Sequence, residues 1–142
     1  MNEKEKFSKE DGADKVDEIY FRSLIGCLIY LTATRSDILF VVSLLSRFMY
    51  CASVIPFRAA KQILKDIKGT INFGVKFEKN QRFKLHGFLD SDWGRSIDDM
   101  RSTSGYCFNL GSSIFSWCSK KQQIVAQSTA EAEFIAATAA TN

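Results

Sequence analysis

The feature that most restricts this chain is a change of hydrophobic period at Gly69. Before it, apolar residues recur three and four apart; after it, they alternate. Helical spacing gathers apolar side chains into a stripe along a cylinder, and alternation gathers them on one face of a pleated ribbon, so neither pattern suits the other structure. The chain is therefore expected to be α+β, helices first and strands second.

The helical half reads as three segments. Ile19 to Thr34 is apolar nearly all round, with Tyr20, Leu24, Ile25, Leu28 and Leu31, so it should be packed on several sides. Ser36 or Asp37 suits the cap of a second helix running to about Cys51. Pro56 suits the first turn of a third, whose apolar stripe is Ala60, Ile63, Leu64 and Ile67, with Gly69 as its C-cap. Arg58, Lys61, Lys65 and Lys68 lie off that stripe, placed either to follow a phosphate backbone or to form a solvated face.

Beyond Gly69, Ile71, Phe73, Val75 and Phe77 alternate as a short strand. Phe83, Leu85, Phe88 and Leu89 predict a second strand, partly buried on both faces. Asp98-Asp99 and Ser102-Thr103-Ser104 read as polar connections. Tyr106, Phe108 and Leu110, a turn at Gly111-Ser112, and Ile114, Phe115 and Trp117 form a hairpin. From Ser128 an alanine-rich helix runs to the last residue. Three strands and one helix bury only one side of their sheet, so either the N-terminal helices cover the other side or the domain continues past residue 142.

The 142 residues suffice for one domain of ordinary size. Residues 1–18 hold seven acids and four lysines and read as a frayed or disordered polar tail. Of the chain's 19 basic and 16 acidic residues, fifteen and nine remain beyond them, a balance of +6 that tilts toward a polyanionic partner. Cys27, Cys51, Cys107 and Cys118 show no zinc or redox spacing and read as buried thiols in a reducing compartment. No apolar leader opens the chain, and Arg35, Asp37 and Arg47 interrupt Leu24–Tyr50, so no run reaches the ~18 residues of a membrane span. An intracellular protein without a membrane partner is expected.

The carboxylates carry the chemistry. Asp90 and Asp92 end the strand that begins at Leu85, and alternation puts both on one face, with Ser91 opposite. Glu131 and Glu133 open the last helix and stand about 200° apart, too far round to share a site. If Ala130, Phe134 and Ala137 face the core, Glu133 lies nearer that stripe. A strand-end Asp beside a helix Glu offers Mg²⁺ hard oxygen ligands, and two such ions ~3.5–4 Å apart clamp a phosphodiester. His86 has no evident partner, the Ser and Thr residues near Ser102 and Ser128 lack a base to activate them, and Trp93 and Trp117 suit core packing better than base stacking.

These residues also carry a resemblance. Phe21-Arg22-Ser23-Leu24-Ile25-Gly26-Cys27-Leu28-Ile29-Tyr30-Leu31 with Thr34-Arg35-Ser36-Asp37-Ile38, then Ala59-Ala60-Lys61, Ile63-Leu64 and Ile67-Lys68-Gly69-Thr70, resemble the segment after the polymerase core in copia-type LTR retrotransposon Pol polyproteins. Asp90-Ser91-Asp92-Trp93-Gly94, Arg101-Ser102-Thr103-Ser104-Gly105-Tyr106, Ser116-Trp117 and Ser119-Lys120-Lys121-Gln122 resemble the opening of that family's ribonuclease H domain, and Ser128-Thr129-Ala130-Glu131-Ala132-Glu133-Phe134 its first helix. The likeness spans about residues 10–142.

The resemblance implies a reverse-transcriptase connection-like segment over 19–79 and the N-terminal half of a ribonuclease H-like domain over 80–142: a three-stranded antiparallel sheet, then a helix. It implies an RNA–DNA hybrid as partner and two-Mg²⁺ hydrolysis of its RNA strand. Asp90 and Glu133 match the first catalytic and metal-binding carboxylates, with Asp92 and Glu131 as second choices. The family's third and fourth acidic positions come later than this chain reaches, so weak Mg²⁺ binding and no hydrolysis by the chain alone are expected. The polymerase active-site segment is not among these residues. Ser36 stands where the family usually has Pro, Pro56-Phe57 where a His is common, and Arg95 where a Gly is common. Arg95 brings a large cation beside the expected metal site, suited to phosphate or marking relaxed constraint. The alternative is a non-catalytic nucleic-acid or protein binding module, a domesticated or effector-like fragment.

Overall fold

The structure, a computed structural model, describes residues 6–76 and 84–141. Among them are helices α1 (Glu18–Leu31), α2 (Leu39–Leu45), α3 (Val54–Gly69) and α4 (Thr129–Thr141), and strands β1 (Leu85–Asp92), β2 (Thr103–Leu110) and β3 (Ser113–Lys121). The strands form one antiparallel sheet in the order β1-β2-β3, so the class is α+β as the change of period predicts. The chain divides into two compact units, Met1–Phe73 and Gly74–Asn142.

The first unit holds the large apolar core. α1 starts where Asp17 Oδ1 accepts from the N–H groups of Ile19 (2.8 Å) and Tyr20 (3.3 Å), satisfying two otherwise orphaned donors. Phe21, Ile25 and Leu28 are its buried stripe. Packing is one-sided rather than all round, since Ile19 and Tyr30 stay 78% and 85% exposed. The second helix is broken into a 3-10 turn (Ser36–Ile38), α2, and a second 3-10 turn (Ser46–Phe48).

Neither Ser36 nor Asp37 caps the first turn of that segment. Asp37 is bound instead by Arg35, at 2.9 and 2.7 Å, and these hydrogen bonds hold its carboxyl below the usual range. Arg35 also donates to Thr70 Oγ1 at 2.8 Å and the Thr70 carbonyl at 3.3 Å, tying the end of α3 to the start of the broken helix.

Pro56 lies buried in the first turn of α3, and Ala60 and Ile63 are buried below it. Leu64, expected on the same stripe, is 44% exposed. Gly69 is the last helical residue rather than a left-handed cap; Thr70 closes the helix, its N–H bonding the Ile67 carbonyl at 3.1 Å. The expected frayed tail supplies part of the core: Phe7 is buried and meets Phe48 edge-on at 5.8 Å. Val16 N–H bonds Ala52 O (3.1 Å) and Val54 N–H bonds Asp14 O (2.9 Å), running residues 14–16 alongside 52–54.

The second unit is built differently. Eight residues of β1 pair with β2, from Leu85↔Leu110 to Asp92↔Thr103. β2 turns into β3 at Gly111, whose φ of +63° suits a residue without a Cβ. α4 packs against β1 and β2. Thr103 and Ser104 are buried strand residues, not a connection. Ile71, Phe73 and Val75 form no strand; Phe77, Phe83 and the expected boundary at 79/80 lie outside the described residues. β1 is exposed along Leu85–Asp90 rather than half-buried. Among the described residues, the buried apolar side chains of this unit are Ala126, Ala132 and Ala136, while Phe88 (58%), Phe115 (54%) and Phe134 (73%) stay exposed. The cysteines are not buried either: Cys27 is exposed and the other three are partly so, all as free thiols. Among the described residues, no helix is long and apolar enough to cross a membrane.

Candidate active site

β1 carries Asp90 and Asp92 to the sheet's end, where their environments differ. Asp92 is partly buried, and its Oδ1 accepts a hydrogen bond from the backbone N–H of Thr103, its partner across the ladder. Its Oδ2 lies 3.9 Å from Arg95 Nε. Asp90 is exposed; its Oδ1 accepts from the N–H of Ser91 at 2.9 Å, a bond local to the strand end. Asp90 faces Gly105 across the ladder, so no large side chain stands at its paired position.

The loop after β1 is folded back by polar contacts. Ser102, fully buried, accepts from Gly94 N–H at 3.0 Å. Trp93, expected in a core, is 52% exposed, and its ring N–H bonds the Ala126 carbonyl at 3.0 Å, linking this loop to the approach of α4. Asp99 accepts from Lys121 Nζ at 2.5 Å. Burial raises its carboxyl's pKa, but hydrogen bonds from Lys121, Ser96 and the Arg101 N–H outweigh that and lower it to about 2.

α4 is attached through Gln122. This side chain is buried, and its Nε2 donates to Ser104 Oγ and to the Ala132 carbonyl, both at 2.9 Å, joining β2 to the first turns of the helix. Ser128 caps that helix by accepting from Glu131 N–H at 3.2 Å. Glu131 Oε2 reaches back to the Gln127 N–H at 2.7 Å, a variant of the reciprocal capping box. The buried stripe is Ala132 and Ala136. Ala130 and Phe134, expected to face the core, are exposed, and so is Glu133.

The candidate residues therefore sort by exposure. Asp92 and Glu131 are partly buried and hold the N–H groups of Thr103 and Gln127, whereas Asp90, whose Oδ1 takes the N–H of its neighbour Ser91, and Glu133 are exposed, on two elements that pack together. Among the described residues, no group of three or more His, Cys, Asp and Glu side chains is gathered to hold a metal. The oxygen donors of Asp90 and Glu133 fit Mg²⁺ in kind; the two-ion arrangement needs more ligands than they supply. His86 is exposed on β1.

Arg58, Lys61, Lys65 and Lys68 are all exposed on α3. Lys61 Nζ lies 4.3 Å from the centre of the Phe57 ring. Arg95 is held beside Asp92 and is only 23% exposed in its side chain. Sequence reasoning missed Gln122 and Ser102 as organisers. Each is a polar residue in a polar run, with no local signal that it is buried.

Comparison with known proteins places the chain among related sequences. It is 40% identical over 114 residues to an uncharacterized mitochondrial protein of Arabidopsis thaliana, covering 80% of this chain and 48% of that protein. It is 40% identical over 129 residues to the retrovirus-related Pol polyprotein from transposon RE1 of the same plant, covering 91% of this chain and 9% of the polyprotein. It is 37% identical over 122 residues to secreted RxLR effector protein 161 of Plasmopara viticola, covering 85% of this chain and 86% of that protein. The chain thus spans about half the length of the first relative and under a tenth of the second. No family model and no solved structure matches it.

Proposed function

Because this chain belongs to the family of copia-type retrotransposon Pol polyproteins, we propose that its second unit is the opening half of a ribonuclease H-like domain, which alone holds a hybrid without cutting it. On this reading the first unit is the connection-like segment that precedes that domain. Asp90 and Glu133 are the carboxylates committed to the reaction centre. The observation that carries the reading is their exposure: both face solvent, Asp90 giving one oxygen to the adjacent Ser91 N–H, while Asp92 and Glu131 are partly buried and hold the N–H groups of Thr103 and Gln127.

Asp90 and Glu133 would hold Mg²⁺. Bound there, the ion would neutralise phosphate charge and lower the pKa of an attacking water. The protein's own part is placement. The β1–β2 ladder fixes the backbone at Asp90, and Gln122 with the Ser128 cap fixes the start of the helix that bears Glu133. Two carboxylates leave a two-ion clamp short of ligands, so the 142 residues on their own are expected to be inactive. The same reading carries an intracellular setting.

The test is Mg²⁺-dependent cleavage of an end-labelled RNA–DNA hybrid by the purified chain, beside Asp90→Asn. No cleavage, with hybrid bound more tightly in Mg²⁺ and that gain lost in Asp90→Asn, supports the proposal. Cleavage abolished by Asp90→Asn overturns the inactivity; a Mg²⁺ response indifferent to Asp90 overturns the site.

A second reading is favoured by one finding: a relative of similar extent bears the name of a secreted effector. A non-catalytic protein-binding module would show neither cleavage nor Mg²⁺-dependent hybrid binding.

A further inference from the structure

We propose that the first unit carries a separate surface for an unpaired nucleic-acid strand, formed by Tyr20 of α1 with Phe57, Arg58, Lys61, Lys65 and Lys68 of α3. It lies on a different unit from the carboxylates and takes a different ligand from the hybrid proposed for them. It therefore stands or falls independently of that reading.

The first observation is the arrangement of charge. At about 100° per residue, Phe57, Arg58, Lys61, Lys65 and Lys68 fall within an arc of about 100°. The buried residues of the same helix, Pro56, Ala60 and Ile63, lie on the opposite side. From Phe57 to Lys68 the arc runs about 16 Å along the axis. The one acid of α3, Asp66, stands outside the arc and accepts from Gln62 Nε2 at 3.0 Å. An uninterrupted cationic arc suits a polyanion whose charges repeat along its length, because each phosphate neutralised releases condensed counterions.

The second observation is aromatic. Tyr20 is 58% exposed, and its ring meets Phe57 edge-on at 5.7 Å and 70°. Lys61 Nζ sits 4.3 Å from the Phe57 ring centre. Glu18, the acid of the first turn of α1, is paired with Arg22 at 2.8 Å. An exposed ring held by a second ring, with a cation beside it, is a platform for a base that has left its stack. A duplex shows its phosphates but hides its base faces, so the arc alone would serve a duplex and the ring pair adds something only for an unpaired strand. An acidic peptide would likewise use the cations and leave the platform idle.

The experiment uses the full chain and fluorescence anisotropy with labelled dT15, a 15-base-pair duplex, an abasic 15-mer and polyglutamate. Expected is preference for dT15 over the other three, with log K falling against log salt with a slope of up to about −3 for four cations on a single strand. Lys65→Gln/Lys68→Gln lowers that slope by about 1.4. Tyr20→Leu weakens dT15 binding about tenfold without changing the slope, and leaves abasic binding unaltered. Circular dichroism melts establish that each variant is folded, and Tyr20, being exposed, is replaceable without loss of core. Equal binding of duplex or polyglutamate, no binding of dT15, or indifference of dT15 binding to Tyr20→Leu would each overturn the proposal.

Discussion

Asp92 receives the backbone N–H of Thr103, the residue directly opposite it on β2. The carboxylate closes the last rung of the β1–β2 ladder, at a position where Thr103 is only 3% exposed. A donor so placed has no easy access to water, and leaving it unpaired is costly. Asp92→Ala is therefore expected to lower stability by about 1–3 kcal/mol. Asp90→Asn, which alters an exposed side chain, should stay within about 0.5 kcal/mol of the parent. Urea midpoints of the two variants check this; equal losses would contradict the division of labour between the aspartates.

The two glutamates of α4 divide in the same way. Glu131 and Ser128 together satisfy N–H groups at the start of the helix. Glu131→Ala or Ser128→Ala should cost about 0.5–2 kcal/mol through loss of the cap, and Glu133→Gln close to nothing. Thermal melts followed at 222 nm distinguish them. A Glu133 variant as damaged as Glu131→Ala would mean that Glu133 is structural.

Legibility in the sequence tracked the range of the interactions. α1, α3, the Gly111 hairpin and α4 were readable because period and punctuation are local. The broken second helix was not, because Asp37 satisfies a guanidinium that also binds Thr70, thirty-five residues from Arg35. Phe7 read as part of a polar tail because its partner, Phe48, lies far along the chain. Alternation alone leaves Asp90 and Asp92 equivalent, and in the sequence it is the resemblance that ranks Asp90 first. The feature that separates them, an N–H from the neighbouring strand, depends on register. The phase of α4 is not legible locally: Phe134 points the expected face toward the core, whereas small Ala132 and Ala136 take it.

The units should differ in protection. The first buries Phe21, Ile25, Leu28, Leu45 and Val42 almost completely, while the buried apolar residues described in the second are alanines. Amide exchange is expected to be slowest in α1 and α3 and faster throughout β1 and α4, since opening free energy follows buried apolar contact. Phe21→Ala should cost about 3–5 kcal/mol and abolish slow exchange in the first unit. Slowest exchange in β1–β3 would contradict this assignment of stability.

Arg35 is expected to resist conservative replacement. Its guanidinium engages both oxygens of Asp37 and both oxygens of Thr70, and its side chain is 12% exposed. A lysine keeps the charge but has no planar fork to span four acceptors. Arg35→Lys should therefore lose most of the stability that Arg35→Ala loses, read as the shift of the urea midpoint. Recovery of parental stability by lysine would show that charge alone suffices.

Asp99 gives a pH signature with a defined sign. Its carboxyl is lowered from 3.8 to about 2 because hydrogen bonds, led by that from Lys121, outweigh the opposing effect of burial. A depressed folded-state pKa means that the unfolded chain takes up the proton first as pH falls. The stabilisation is thus complete above about pH 4 and is lost as pH falls toward 2. With the side chain 36% exposed, solvent screening holds the effect to under about 1 kcal/mol. The gap in stability between the parent chain and Asp99→Asn should be constant at neutral pH and close between pH 4 and 2. Lys121→Met should narrow the gap at neutral pH and shift its closure upward in pH. A gap that stays open at pH 2, or one that Lys121→Met leaves unchanged, would mean that the Asp99–Lys121 contact does not form in solution.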